Sequence, residues 1–190
     1  EMTKLLHGAS ICVDATHPYA TEATRTICEA CETTGVEYHR LLRTESELPK
    51  NSIVFETAAE AAEYLESTAG NILLTTGAKE LPAFKNLDRK QVFPRVLPTL
   101  DGIRACEALD IPHRNIIAMQ GPFSFALNQA MMEQFHIRWL VTKDGGAAGG
   151  FDEKAAAASA AGAQLVVIRR PPEQGETASE VLKRCKEMIR

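Results

Sequence analysis

Four polar segments rich in glycine, proline or basic residues each follow a short apolar run, at residues 14–18, 75–79, 120–124 and 142–150. The last has the most glycine, which lets a backbone approach a ligand closely, and free amides of a following helix attract phosphate or carboxylate. We expect an anion-binding turn there. Its spacing matches neither Gly-x-Gly-x-x-Gly nor the Walker A pattern, and an ordinary strand-to-helix turn would also use glycine.

Several titratable or cationic side chains accompany these turns. His17 lies where the first predicted strand meets its helix, so its imidazole could donate a proton or bond an acidic substrate; capping the helix is the alternative. Arg169 and Arg170 follow the predicted strand at 164–168, and Arg95 lies in the predicted strand at 92–97. Guanidinium groups bind carboxylates through two hydrogen bonds, which suits a substrate with several carboxylates, whereas solvated surface arginines are the alternative reading.

The sequence gives little support for a metal site, a hydrolase triad or a redox dithiol. The remaining histidines are scattered without the spacing that zinc ligands need, so no metal site is expected. No Gly-x-Ser-x-Gly turn of a triad hydrolase occurs. Cys28 and Cys31 fall inside a predicted helix on its apolar stripe, which favours packing over a redox dithiol at a helix start.

The elements that must position these residues alternate between strand and helix. Pro18 suits a first helical turn, and Thr57 with Glu60 and Thr177 with Glu180 fit the capping box of a helix start. Apolar runs on consecutive positions indicate parallel strands covered on both faces, in an α/β fold. Strands are predicted at 10–14, 37–42, 52–56, 71–76, 92–97, 115–119, 138–142 and 164–168.

Composition bounds the function. The 190 residues are 24% charged and 45% hydrophobic with a net charge of −4, typical of a globular protein and without the basic excess that attracts nucleic acid or anionic lipid. No apolar run approaches the roughly 20 residues that cross a bilayer. Five cysteines, an odd number, favour reduced thiols in the cytoplasm.

Two prolines suggest a division of the chain. Pro94 and Pro98 bracket a short extended run between two sets of β-α units. We therefore expect two Rossmann-like lobes with mostly parallel sheets, at 1–97 and 98–190, and a cleft lined by the strand ends.

The turns, taken in order, resemble those of one known family. Segments 14–20, 74–79, 94–98, 119–124, 142–154 and 169–171 occur in the order seen in precorrin-6A reductases, which include the cobalt-precorrin-6A reductases. The resemblance implies a cytoplasmic NADPH-dependent oxidoreductase of cobalamin biosynthesis, with cofactor and tetrapyrrole between two Rossmann-like lobes. It also implies hydride transfer to the macrocycle without a metal or flavin bound by the protein.

The resemblance also suggests roles for residues of the turns. His17, Lys143 or Asp144 would supply a proton, with bulk water as the alternative. Residues expected to contact the substrate are Thr16, Arg95, Gln120, Ser124, Arg169 and Arg170. Residues expected to contact NADPH are Thr75, Thr76, Gly77, Lys79, Gly145, Gly146, Gly149 and Gly150.

The start of the chain departs from the family pattern. Family members usually carry a strand and a glycine-rich turn well before the segment at Asp14, so we expect an N-terminally truncated chain, an incomplete first lobe and no activity of this piece alone. The alternatives are a non-catalytic fragment that binds a tetrapyrrole or nucleotide, and another nucleotide-dependent Rossmann enzyme such as a methyltransferase. The sequence leaves open whether the substrate contains cobalt, and the oligomeric state.

Overall fold

The computed structural model describes residues 1–43, 46–146 and 149–188. Its described residues form two compact units, one from 1–44 and 171–190 and the other from 45–170. Residues 147 and 148 of the glycine-rich segment lie outside the described residues. Within the described part, no helix has the length and apolar content needed to span a membrane.

The first unit is built around a two-stranded parallel sheet of β1 (Ile11–Asp14) and β2 (Glu37–Arg40). Three helices belong to it: α1 (Met2–Leu5), α2 (Thr21–Thr34) and α7 (Ala178–Met188). Helix α2 ends at Gly35, whose φ of +70° suits glycine and confirms the predicted helix end. Cys31 is buried in the small core of this unit.

The second unit contains a six-stranded sheet in the order β3-β8-β7-β4-β5-β6. Every pairing in it is parallel, which confirms the predicted α/β class. The strands are β3 (Ile53–Phe55), β4 (Asn71–Leu74), β5 (Val92–Val96), β6 (Ile117–Ala118), β7 (Ile137–Lys143) and β8 (Gln164–Ile168).

Helices cover both faces of this sheet, as consecutive apolar strand positions predict. In β4, Ile72 and Leu74 join one buried cluster while Leu73 joins the other, because successive side chains of a strand point to opposite faces. The helices are α3 (Ala58–Glu66), α4 (Leu100–Glu107), α5 (Phe125–Gln134) and α6 (Phe151–Ala160), with 3-10 helices at Ala78–Phe84 and His113–Asn115.

Local signals account for several helix starts. Glu60 N donates to Thr57 Oγ1 and Thr57 N donates to Glu60 Oε2, both at 3.2 Å, so the predicted capping box at α3 is confirmed. Helix α4 was not predicted from its short apolar pattern. Its start is marked by Thr99, whose hydroxyl accepts from Gly102 N at 3.1 Å.

The strands group differently from the division expected between residues 97 and 98. Strand β5 pairs with β6, and β4 pairs with β7, so strands from both sides of residue 97 share one sheet. Pro94 lies within β5, opposite Leu74, and is buried there rather than marking a linker. Contacts between strands far apart in the chain, which the local proline pattern does not reveal, produce this grouping.

Candidate functional site

The six-stranded sheet has a switch point between β4 and β7. From β4 the chain adds β5 and then β6 on one side, whereas from β7 it adds β8 on the other side. In open parallel sheets, ligands bind outside the carboxyl ends of the strands at such a point, because the loops there diverge and leave a crevice.

A cavity of about 720 Å³ opens at the carboxyl ends of these strands, within the second unit. This volume is in the range of ligand pockets. Its wall comes from the turns after β4, β5 and β6 and from the start of α6. Of the residues expected to contact ligand, the following line it: Thr75, Gly77, Lys79, Arg95, Gly149 and Gly150.

Two buried cations, Arg95 and Lys154, contribute to the wall, each with 8% of its surface exposed. Arg95 Nη1 donates to Asn128 Oδ1 at 2.7 Å, and the guanidinium carbon lies 3.8 Å from the centre of the Phe123 ring. Lys154 Nζ donates to Thr142 Oγ1 at 2.9 Å. Among the residues that the structure describes, neither cation forms an ion pair.

Burial perturbs both cations, because a charge removed from water loses solvation free energy. It lowers the pKa of Arg95 to about 10. Burial, together with the nearby positive charge of Arg95, lowers the pKa of Lys154 to about 8. The cavity wall therefore carries two cations whose charged forms are poorly compensated by the protein itself.

Sequence reasoning missed part of this wall. Phe123 lies in the segment 120–124 that was expected at the cleft, but Lys154 and Asn128 were not among the predicted site residues. Asn128 is buried in α5, and its Nδ2 donates to the carbonyls of Phe123 and Ser124 at 3.3 and 3.0 Å. The sequence signal that could have found it is its spacing, because Asn128 precedes the apolar Met131 and Met132 by three and four residues and so falls on the same helix face.

Two residues at the end of β7, Lys143 and Asp144, form ion pairs instead of lining the cavity. Lys143 Nζ lies 2.7 Å from Glu80 Oε1. Asp144 pairs with Arg170, whose Nη2 lies 3.2 Å from Oδ1, and both side chains are buried. Gly146 N donates to Asp144 Oδ1 at 3.2 Å, and Gly145 N to the Lys143 carbonyl at 3.0 Å, so the turn is held by its own contacts.

The Asp144 carboxyl is ionised in this arrangement. Burial alone would raise its pKa, but hydrogen bonds from Arg170 and the Gly146 amide, with the charge of Arg170, lower it. A carboxylate with a lowered pKa has no proton to give near neutral pH. The arrangement therefore argues against the role of proton donor expected for Asp144, and it engages Arg170 internally.

The other residues of the second unit that were expected to contact ligand do not line the cavity. Arg169 Nη1 lies 2.7 Å from Glu56 Oε1 in an exposed ion pair. Ser124 caps α5 by accepting from Leu127 N at 3.3 Å, and Gln120 is exposed. Thr76 is buried, with no hydrogen-bond partner for Oγ1 among the described residues.

Thr16 and His17 belong to the first unit. Thr16 N donates to Asp14 Oδ1 at 2.9 Å, and Arg40 Nη1 donates to Thr16 Oγ1 at 2.8 Å. Tyr19 N donates to His17 Nδ1 at 3.4 Å, close to the local capping role that was the alternative reading. Three of the four turns singled out from the sequence thus contribute residues to the second unit's cavity, and the fourth lies in the first unit.

Comparison with known proteins now places the chain. A family model described as "Precorrin-6x reductase CbiJ/CobK" matches residues 1–186. The chain belongs to this family. The resemblance found in its turns is confirmed.

Curated relatives of the family agree. A cobalt-precorrin-6A reductase of Priestia megaterium is 37% identical over 145 residues, which is 74% of this chain and 57% of that protein. One from Methanothermobacter thermautotrophicus is 36% identical, covering 73% of this chain and 47% of that protein. A precorrin-6A reductase of Rhodococcus erythropolis is 34% identical, covering 74% and 55%. The chain spans about half the length of the curated relatives it matches.

A solved structure shows that the family fold extends along the chain. The structure described as "CobK precorrin-6A reductase" superposes with a TM-score of 0.77, covering 98% of this chain and 77% of that one, at 22% identity. At that identity the match shows similarity of fold alone. It agrees with the predicted Rossmann-like α/β architecture.

Proposed function

We propose that this protein takes part in the NADPH-dependent reduction of precorrin-6A or cobalt-precorrin-6A in cobalamin biosynthesis, as a cytoplasmic oxidoreductase. The observation that carries the proposal is the cavity at the sheet's switch point, lined by glycine turns and buried cations, in a chain of this family. An anionic nucleotide and a polycarboxylate macrocycle are both ligands that such a wall attracts.

The turns of the cavity fit a dinucleotide. Gly149 and Gly150 lie at the start of α6, where free amides and the positive end of the helix dipole favour a phosphate. Gly77 has a φ of +87°, and no heavy atom lies within 4 Å of the place a Cβ would take, so ligand can approach its backbone. The Thr75 hydroxyl and the Lys79 ammonium would add polar contacts from the same side.

NADPH, when bound, supplies the hydride, and the chain's own residues orient the reactants and exclude water. We assign orientation of the cofactor to Thr75, Gly77, Lys79, Gly149 and Gly150. The accompanying proton is assigned to bulk water, because Lys143 is paired with Glu80 and does not line the cavity. Asp144 is left out of this role because its carboxyl is ionised.

The apolar part of the wall suits a macrocycle. Leu97 is 57% exposed and Met119 38% exposed, and both line the cavity with Phe123. Large exposed apolar side chains at a cavity mouth mark a binding surface. A tetrapyrrole would rest its ring against them, and its acetate and propionate groups would meet Arg95.

Calorimetry and turnover together test the proposal. The chain is titrated with NADPH and, separately, with S-adenosylmethionine, and then incubated with NADPH and cobalt-precorrin-6A while NADPH absorbance is followed. NADPH binding is the expected result, and substrate-dependent oxidation by this piece alone would dismiss the alternative of a non-catalytic fragment. Binding of S-adenosylmethionine without binding of NADPH would overturn the assignment in favour of a methyltransferase.

A further inference from the structure

Among the described residues, Arg95 and Lys154 are the two buried charged groups that line the cavity. Both are buried, and no carboxylate among the described residues pairs with either. Charged side chains are almost never this buried without a partner, because each loses solvation. Both also line the cavity, so a ligand there can reach them.

The guanidinium of Arg95 is held in place by neutral groups. Asn128 Oδ1 accepts from its Nη1, and the Asn128 amide is itself fixed by donating to two backbone carbonyls. The Phe123 ring covers the guanidinium at 3.8 Å from its centre. These contacts orient the cation without neutralising it, and one hydrogen bond leaves most of its five N–H donors for a ligand.

Lys154 is oriented in a similar way. It lies in the first turns of α6, and its Nζ donates to the Thr142 hydroxyl, which in turn donates to the Lys143 carbonyl at 3.3 Å. The charged groups that act on it are Arg95 from β5, Glu153 from α6 and Asp144 from the turn after β7. Of these, Asp144 is engaged by Arg170.

We infer that Arg95 and Lys154 together bind one anionic oxygen group, a carboxylate or a phosphate, of the molecule that occupies the cavity. The inference rests on the proposed function only for the identity of that molecule. The group comes either from an acetate or propionate of the macrocycle or from a phosphate of the dinucleotide. In both cases it would balance two charges that otherwise repel each other in a water-poor wall.

The protonation of Lys154 gives a direct readout that needs no turnover. Without ligand, burial and Arg95 set the pKa of Lys154 at about 8. An anion placed between the two cations favours the charged form, so it raises this value. The Lys154 signal is followed by NMR of the side-chain Cε against pH and assigned by its loss in Lys154→Met.

The titration is run on the whole chain with three probes: none, NADP⁺, and uroporphyrin, a tetrapyrrole with carboxylate side chains. We expect the midpoint of Lys154 to rise by one pH unit or more with one of the two ligands. A rise with NADP⁺ assigns a phosphate to the site, and a rise with uroporphyrin assigns a carboxylate. An unchanged midpoint at saturation with both ligands would overturn the inference.

Binding measurements on variants provide an independent arm. Lys154→Met and Arg95→Met each remove one charge and leave an unbranched apolar side chain, and Lys85→Met removes an exposed lysine of the same unit as a control. Loss of a charge-assisted hydrogen bond corresponds to a roughly 10-fold to 100-fold weaker Kd. Each cavity variant should show this loss for the same probe, with Lys85→Met within about twofold of the unchanged chain.

The two proposals fail in different ways. If the Lys154 midpoint moves with uroporphyrin but the chain binds S-adenosylmethionine and not NADPH, the anion site stands and the reductase assignment falls. If NADPH is oxidised while Lys154→Met and Arg95→Met keep full affinity for both probes, the reverse holds. If Arg95→Met does not fold, the Lys154 titration of the unchanged chain still decides.

Discussion

Asp144 and Arg170 form a buried ion pair with two contacts, Nη2 to Oδ1 at 3.2 Å and Nε to Oδ2 at 3.3 Å. The pair joins the turn after β7 to the end of β8, at the edge of the sheet where the cavity opens. It holds in place the backbone that leads into the glycine turn. Its role in the second unit is therefore structural support of the site.

Removing one partner of this pair should destabilise the second unit strongly. Asp144→Asn removes the carboxylate that pairs with the buried Arg170 guanidinium, which costs about 3–5 kcal/mol. Urea unfolding at neutral pH measures the loss. Glu56→Gln, at the exposed Arg169 pair, serves as the control and should change stability by about 1 kcal/mol or less. Equal effects of the two substitutions would contradict the structural role of Asp144.

The Asp144–Arg170 pair also predicts that the stability of the chain falls at acidic pH. Because the folded pKa of Asp144 is lowered, its contribution is complete above the ordinary value of 3.8 and is lost as pH falls below it. Unfolding curves of the unchanged chain should therefore lose stability below about pH 4, and Asp144→Asn should lose less over that interval. An equal loss of stability with falling pH in the two proteins would refute this expectation.

Lys154 should affect the stability of the chain in the opposite sense to Asp144, because its buried charge destabilises the folded chain instead of stabilising it. Its folded pKa of about 8 lies below the ordinary 10.5, so the chain carries a penalty of about 3 kcal/mol below pH 8 that shrinks as pH rises to 10.5. Lys154→Met removes the penalty and loses one hydrogen bond worth about 1 kcal/mol. Without ligand, the variant should be about 2 kcal/mol more stable at pH 7, and the difference should diminish by pH 10. A destabilised variant at pH 7 would show that the charge is better compensated than the structure indicates.

A carboxylate also organises the first unit. Asp14 accepts from Tyr38 at 2.9 Å through Oδ2 and lies 2.9 Å from Arg40 through Oδ1, with its side chain fully buried. Burial alone would raise its pKa, but hydrogen bonds from Thr16 and Tyr38 and the charge of Arg40 lower it.

Substitutions of this network should therefore have graded effects. Asp14→Asn leaves Arg40 without one of its charged partners and should cost about 3 kcal/mol. Tyr38→Phe removes one hydrogen bond and should cost about 1 kcal/mol. Circular dichroism during urea unfolding measures the stability of both variants. A larger loss of stability in Tyr38→Phe than in Asp14→Asn would contradict the central role given to the Asp14 carboxylate.

The cavity rim depends on a close approach at Gly102. A Cβ there would lie 2.5 Å from the Leu97 carbonyl oxygen, a contact that backbone movement alone can relieve. Gly102→Ala should cost about 1–3 kcal/mol through this overlap and weaken ligand binding by displacing the start of α4. Gly35→Ala is the comparison, because no atom lies within 4 Å of its Cβ position and only its φ of +70° opposes the change. Urea unfolding measures the stability of both variants, and NADPH titration measures their affinity for the ligand. Unaltered NADPH affinity in Gly102→Ala would contradict the expected weakening of binding.

Much of the local structure was predictable because its causes are local. The alternation of apolar runs with capping signals placed the strands to within a few residues. The capping box was predicted from Thr57 and Glu60 alone, which are three positions apart in the sequence. The predicted strand at 115–119 is an instructive exception. Only Ile117–Ala118 is strand, because Asn115 ends a 3-10 helix and its amide donates to the Lys90 and Val92 carbonyls at 3.0 and 3.2 Å.

The sequence by itself determined the α/β class, the family and the glycine turns that end the strands, since these depend on residue type, spacing and order along the chain. Only the tertiary structure decided which turns meet at the cavity and that Asp144 is bound to Arg170. It also decided that Lys154 and Arg95 are close to each other and that no carboxylate in the described part of the chain pairs with either. Sheet order, burial and charge pairing arise between residues distant in the chain, and their free energies depend on how completely packing removes each group from water.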